Sequence, residues 1–214
     1  MKPSLSMKSL FIAALALTIA LASMPTPAHA GGAGDRIQQF INEILPILQD
    51  PAYDTTDHAA YMEQRGKLEV TIDDLFDWLM ISQLTLSRAW NDFTPEQQDE
   101  FAQAFRFLLE TTYMDRIQQS GTETLSILDE TEVREGKFEV STLAVISDPA
   151  SELPITYRLY HHGTWKVYDV VVEGVSLVGN YRTQFQELLD SNTPEEFIDI
   201  VIQKAEEKRA QGGQ

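Results

Sequence analysis

Residues 154–173 read Pro154-Ile155-Thr156-Tyr157-Arg158-Leu159-Tyr160-His161-His162-Gly163-Thr164-Trp165-Lys166-Val167-Tyr168-Asp169-Val170-Val171-Val172-Glu173. Side chains alternate with a period of two on both sides of His162-Gly163, the repeat of a β-strand rather than of a helix. A glycine inside a two-residue connection between such runs marks a hairpin. If His162-Gly163 is that turn, His161 faces Thr164, Leu159 faces Lys166, Tyr157 faces Tyr168 and Ile155 faces Val170. One face then gathers Ile155, Tyr157, Leu159, Tyr168, Val170 and Val172 and is expected to look toward helices. The other carries Arg158, Tyr160, Trp165, Val167, Asp169 and Val171, too apolar to be wholly solvated.

Working upstream, the same alternation predicts strands over about 123–133 and 138–147, so that with 154–161 and 164–173 the chain makes a four-stranded meander. Glu135-Gly136 is a second tight-turn pair, and Asp148-Pro149-Ala150-Ser151 reads as a longer loop. Before Gly121 the period is helical. Ile37, Phe40, Ile41, Ile44 and Leu48 mark an amphipathic helix over 35–48 that contains Pro46, and a second helical stretch covers about 56–68. A third is predicted from Asp73 to Trp90, with Asp73, Asp74 and Asp77 as dipole partners in its first turns. Thr94-Pro95-Glu96-Gln97 is a capping box with proline at the first helical position, and it opens a long helix ended by Gly121. After the strands, helix returns over about 178–190, and Thr193-Pro194-Glu195-Glu196 opens a final one to about Arg209. Helices, then an antiparallel sheet, then helices again define an α+β fold: a twisted four-stranded antiparallel sheet covered by helices on one face.

Residues 1–30 form a separate unit. Lys2 and Lys8, the apolar run Leu10 to Ala22 and the small-x-small site Ala28-His29-Ala30 are the three parts of a cleaved signal peptide. The run is shorter than the ~20 residues a spanning helix needs. Residues 31–214 are then expected to be a single exported α+β domain. The chain has no cysteine, so it has neither a disulfide framework nor a lipidated cysteine to tether it. Its 16 basic and 33 acidic residues give a formal charge of −17; removing Lys2 and Lys8 with the signal takes this to −19. Such a surface repels nucleic acid and anionic bilayers, and docking partners are expected to offer basic faces.

The sequence offers no catalytic constellation. Gly174-Val175-Ser176-Leu177-Val178 begins like a nucleophile elbow but has valine at the closing glycine position, and no histidine follows His162 to complete a hydrolase order. His161 and His162 are adjacent on a strand and point to opposite faces, so they cannot grip one metal together. His58 is isolated. No enzyme activity, metal or cofactor is expected.

The block Tyr168-Asp169-Val170-Val171-Val172-Glu173-Gly174-Val175-Ser176-Leu177-Val178-Gly179-Asn180-Tyr181-Arg182-Thr183-Gln184-Phe185 closely resembles the signature of the MlaC, or toluene-tolerance, family. Trp90, Thr94 to Gln97, Phe101, Phe105, Leu108-Leu109 and Thr112-Tyr113 resemble its second block, and the likeness spans most of residues 35–205. One departure is local: the family usually carries Leu-Gly-Arg-x-Trp where this chain has Leu86-Ser87-Arg88-Ala89-Trp90. The resemblance implies a periplasmic carrier that shuttles glycerophospholipid between an outer-membrane lipoprotein–porin complex and an inner-membrane ABC transporter complex with a lipid-binding subunit. A hopanoid-like lipid is the alternative cargo. A cell-envelope lipid hydrolase using Ser176, or a cavity-free chaperone-like module, are the readings from other classes.

Carriage of a two-chain lipid requires a dry cavity, because each methylene left in water costs about 0.8 kcal/mol. The helical stripe of Leu79, Leu86, Phe105, Leu108, Leu109 and Tyr113, with the sheet positions Ile155, Tyr157, Leu159, Tyr168, Val170 and Val172, is the expected lining. Asp169, Ser176, Tyr181 and Arg182 are expected to shape the mouth or the sheet-to-helix joint, Arg182 by pairing with an acidic neighbour such as Asp169.

Overall fold

The computed structural model describes residues 32–53, 57–147 and 150–212; the signal peptide expected over 1–30 lies outside them. Within the described residues the chain forms α1 (Ala33–Gln49), α2 (His58–Leu75), α3 (Trp78–Leu86), a 3-10 turn (Ser87–Asp92) and α4 (Pro95–Gln118). It continues through β1 (Thr122–Arg134), β2 (Lys137–Ser147), β3 (Ala150–His162), β4 (Thr164–Val172) and β5 (Val175–Ser176), and ends in α5 (Leu177–Leu189) and α6 (Pro194–Gly212). The strands make one antiparallel sheet in chain order. It has five strands rather than the expected four: Val175 and Ser176 double back to pair with Val172 and Val171 before α5 begins.

The helix boundaries follow their caps. The Thr94 hydroxyl accepts from the Gln97 amide while the Gln97 side chain accepts from the Thr94 amide, closing the capping box of α4. Thr193 and Glu196 repeat the arrangement at α6. Sequence periodicity places the break between α2 and α3 too early. α2 runs on to Leu75, because Leu68, Ile72 and Leu75 continue its buried stripe through the β-branched Val70, Thr71 and Ile72. Asp73 and Asp74 therefore sit in the last turn of α2, where the helix dipole disfavours them. Arg106 pairs with Asp73 and Arg36 with Asp74, each at 2.7 Å. Asp77 alone caps α3, accepting from the Met80 amide.

The hairpin of β3 and β4 also departs from the simple register. None of the expected pairs forms: His162 lies opposite Thr164, so His161 meets Trp165 and Leu159 meets Val167, and beyond Tyr168, the extra residue of a β-bulge, Tyr157 meets Val170 and Ile155 meets Val172. The bulge reverses the expected facing of three side chains. Val167 and Trp165 turn toward the helices, Val167 fully buried beside Leu159. Tyr168 turns to the outer face, edge-on to Tyr160 and under the Lys137 ammonium.

Two hydrophobic cores result. The first is helical: Phe93, Phe101, Phe105, Phe185 and Phe197 interlock with neighbouring ring centroids 5.2–6.2 Å apart, among α3, α4, α5 and α6. The second packs Ile37, Phe40, Ile41 and Ile44 of α1, with Leu68 and Leu75 of α2, onto Val140, Tyr157, Leu159 and Val167 of the sheet. Buried amides tie α1, α2 and α4 together. Gln64 donates to the Ile47 carbonyl, and Gln118 donates to the Gln64 side chain and the Tyr61 carbonyl.

Candidate functional site

Beside the sheet core an apolar cleft of about 790 Å³ opens between α4, the later turns of α1 and the sheet. Phe40, Ile44, Leu45 and Leu48 of α1 line it together with Leu109, Tyr113, Met114 and Ile117 of α4. The opposite wall is Leu125, Ala144, Ile146, Leu153, Ile155, Tyr157, Val170 and Val172, and the stacked rings of Phe76 and Trp78 stand at the α2–α3 junction. The space exists because the sheet is thin there. Leu125, Ala144 and Leu153 form one row across the first three strands, so the small Ala144 occupies the middle of the wall.

The polar side chains of the lining are nearly all accounted for. Glu110 is held by Arg106 at 2.7 Å, and burial raises its carboxyl pKa above the usual range although Arg106 opposes the shift. The Ser120 and Thr122 hydroxyls bond to each other at 2.6 Å. Tyr113 interacts with the phenol of Tyr181, whose pKa is pushed up by burial first and by Tyr113 next. Arg116, Gln119, Ser151 and Asn180 are exposed. Tyr157 differs from all of these: it is only 6 % exposed, burial alone raises its pKa, and among the described residues its hydroxyl has no hydrogen-bond partner.

Of the side chains expected to line a cavity, Leu109, Tyr113, Ile155, Tyr157, Val170 and Val172 face this cleft. Phe105 and Leu108 lie in the helical core and Leu159 in the sheet core, and Leu86, also in the helical core, borders a different concavity. Leu79 is 49 % exposed on α3, and Tyr168 is on the outer face. The lining supplied by α1, β1 and β2 was missed. Its signal was the second apolar row on α1, Leu45 and Leu48 beside Ile44, which widens the stripe beyond what one sheet contact uses.

The joint between β4 and α5 is built on Asp169. Its buried carboxylate accepts from the Ser176 hydroxyl at 2.6 Å, the Val178 amide at 3.0 Å and the Arg158 guanidinium at 2.9 Å. Ser176 in turn caps α5 by accepting from the Gly179 amide, and Tyr181 sits in the helical core. Arg182 does not pair with Asp169, as the sequence suggested. It donates twice to the Leu84 carbonyl near the end of α3, and Arg158, directly across the strand pair, takes the carboxylate instead. A separate concavity of about 580 Å³ lies between the 3-10 turn and the α5–α6 junction. Its lining mixes Arg88, Asp92, Gln186, Asp190 and Asn192 with Leu86, Ala89, Phe93, Leu189 and Pro194, so it lacks the continuous apolar surface of the cleft.

An antiparallel sheet roofed by helices, with an apolar cleft held open between them, defines an α+β protein of the cavity-bearing kind. The sequence model of the MlaC protein family matches residues 38–203, and the chain belongs to that family. No curated protein matches the chain significantly in sequence. Among solved structures it is similar to a phospholipid-binding protein from Ralstonia solanacearum in complex with a phospholipid, with a TM-score of 0.69 at 20 % identity. That match covers 86 % of this chain and 100 % of the other, and it shows a shared fold. No described helix is long and apolar enough to cross a membrane.

Proposed function

We propose that this protein is a non-enzymatic periplasmic carrier that holds a glycerophospholipid by its tails in the cleft. It moves the lipid between an outer-membrane lipoprotein–porin complex and an inner-membrane ABC transporter complex. The observation that carries the reading is the apolar cleft itself. Its 790 Å³ correspond to on the order of 25 methylene-sized groups at roughly 30 Å³ each. That is close to the tails of one two-chain lipid, whose exposure to water would cost on the order of 20 kcal/mol. Family membership and the phospholipid bound to the Ralstonia relative support the same cargo. The polar side chains at the exposed part of the lining leave room for a headgroup in solvent.

The test is mass spectrometry of organic extracts of the purified protein, where phospholipid in near-equal proportion to protein is expected. Two tryptophan variants check the location. Val170→Trp projects into the cleft and should yield a folded protein with little lipid. Leu159→Trp enters the fully packed sheet core and should lower stability by about 1–3 kcal/mol through overpacking. Lipid-free wild-type extracts, or full lipid content in Val170→Trp, would refute the assignment.

A further inference from the structure

The Tyr157 hydroxyl stands out in a lining whose other buried polar groups are satisfied. A buried donor without a partner is costly, so native proteins supply one from protein, water or ligand. Here no described residue bonds to the hydroxyl, and unlike Arg36 Nη1, Ser82 Oγ and Gln118 Oε1 it is not fully enclosed. Tyr157 lies on β3 between Val140 and Val170 in register, with Phe40 edge-on to its ring at 6.1 Å, so its phenol is fixed in place and borders the cleft.

We infer that the Tyr157 hydroxyl donates a hydrogen bond to an ester carbonyl of the lipid's acyl linkage, making the protein selective for ester-linked over ether-linked chains. This rests on the carrier reading and gives it a chemical specificity. The acceptor must be neutral. The surroundings of Tyr157 are the apolar Phe40, Ile155 and Val170, where a phosphate would lose its hydration without a cation to replace it. An ester carbonyl carries an acceptor into an apolar site at much smaller desolvation cost, and an ether oxygen is a poorer acceptor in the same place. One such bond orients the glycerol linkage while the apolar walls hold the tails.

The experiment compares Tyr157→Phe with the wild-type protein, because phenylalanine keeps the ring and removes only the hydroxyl. Binding of a diacyl phosphatidylethanolamine and of its dialkyl ether analogue with the same chain lengths is measured by displacement of a fluorescent lipid. The wild type should prefer the diacyl lipid by about fivefold, the scale of one neutral hydrogen bond. Tyr157→Phe should bind both equally, at the wild-type affinity for the ether lipid. A preference that survives in Tyr157→Phe, or an equal loss for both lipids, overturns the inference while leaving the carrier reading intact. Wild-type protein that binds neither lipid overturns both. A second measurement needs no variant: the ester carbonyl stretch of bound diacyl lipid should contain a component moved to lower frequency by hydrogen bonding. Its absence in the wild-type complex overturns the inference equally.

Discussion

Replacing Ser87 by glycine should stabilise the protein, although it deletes a side chain. Ser87 ends α3 with φ 54° and ψ −120°, a conformation natural to glycine at the first central position of a type II′ turn and strained for any residue with a Cβ. Such strain costs about 1–3 kcal/mol. The side chain is exposed and makes no hydrogen bond among the described residues, so its removal forfeits no contact. Against the gain stands the greater freedom of glycine in the unfolded chain, about 0.5–1 kcal/mol. The net expectation is about 1 kcal/mol, or roughly 2–4 °C in Tm for a domain of this size. Urea titration with an unchanged m-value, together with thermal unfolding, reads both quantities. A Ser87→Gly variant equal to or less stable than the wild type would show that the backbone here is unstrained and that the departure from the family's glycine has no energetic consequence.

The Asp169 joint should be far more sensitive. Asp169→Ala leaves the Val178 amide and Ser176 hydroxyl without their acceptor and the Arg158 charge with only Glu139, so a loss of about 3–5 kcal/mol is expected in urea unfolding. Ser176→Ala, which removes a helix cap, should cost about 1 kcal/mol; a loss below that figure in Asp169→Ala would contradict the joint's importance. Glu110 gives a pH signature: burial holds its folded pKa above the unfolded value, so the folded state binds the proton more tightly. Its contribution is fully present below the unfolded pKa and is lost as pH rises through the folded one. Glu110→Gln should therefore gain stability relative to wild type on going from acid to neutral pH, with Arg106 keeping its contact to Asp73; parallel stability profiles for the two proteins would refute the assignment.

The elements themselves were legible because their signals are local. Thr94 with Gln97 and Thr193 with Glu196 announce helix starts through bonds made within one turn, and the turn glycines Gly136 and Gly163 adopt positive φ as their positions require. Facing was legible only where alternation runs unbroken. The bulge at Tyr168 was nonetheless written in the spacing of apolar residues, since Trp165, Val167, Val170 and Val172 are separated by two, three and two positions, and the step of three marks the extra residue. The cleft was hidden for a different reason. Hydrophobic periodicity reports that a side chain avoids water and not whether another atom fills the space in front of it, so Phe105 in a solid core and Leu109 in the cleft wall look alike in sequence. Arg182 was misassigned because its acceptor is a backbone carbonyl 98 residues away, which no side-chain pattern encodes.

What keeps the cleft from closing is the division of residue types between its surroundings. The large aromatic side chains are concentrated in the helical core, where Phe101, Phe105, Phe185 and Phe197 are each 0–2 % exposed and lock four helices into one body. The sheet wall instead presents Ile146, Ile155, Val170 and Val172, with Ala144 between Leu125 and Leu153 in register and Tyr157 beside Val170. β-Branched side chains are stiff at χ1, and alanine has no χ1 to turn, so these positions cannot swing inward to fill the void. The two bodies are then held in fixed relation by the Asp169 joint between β4 and α5 and by the Phe76 backbone, which bridges in parallel to Val167 at the sheet edge. That stiff stretch faces the more flexible Leu45 and Leu48 of α1, which are only partly buried beside the core. Such a pairing accepts alkyl chains of differing length and bend without repacking the cores, because Leu45 and Leu48 can change rotamer while the buried Phe40 and Ile44 stay in place.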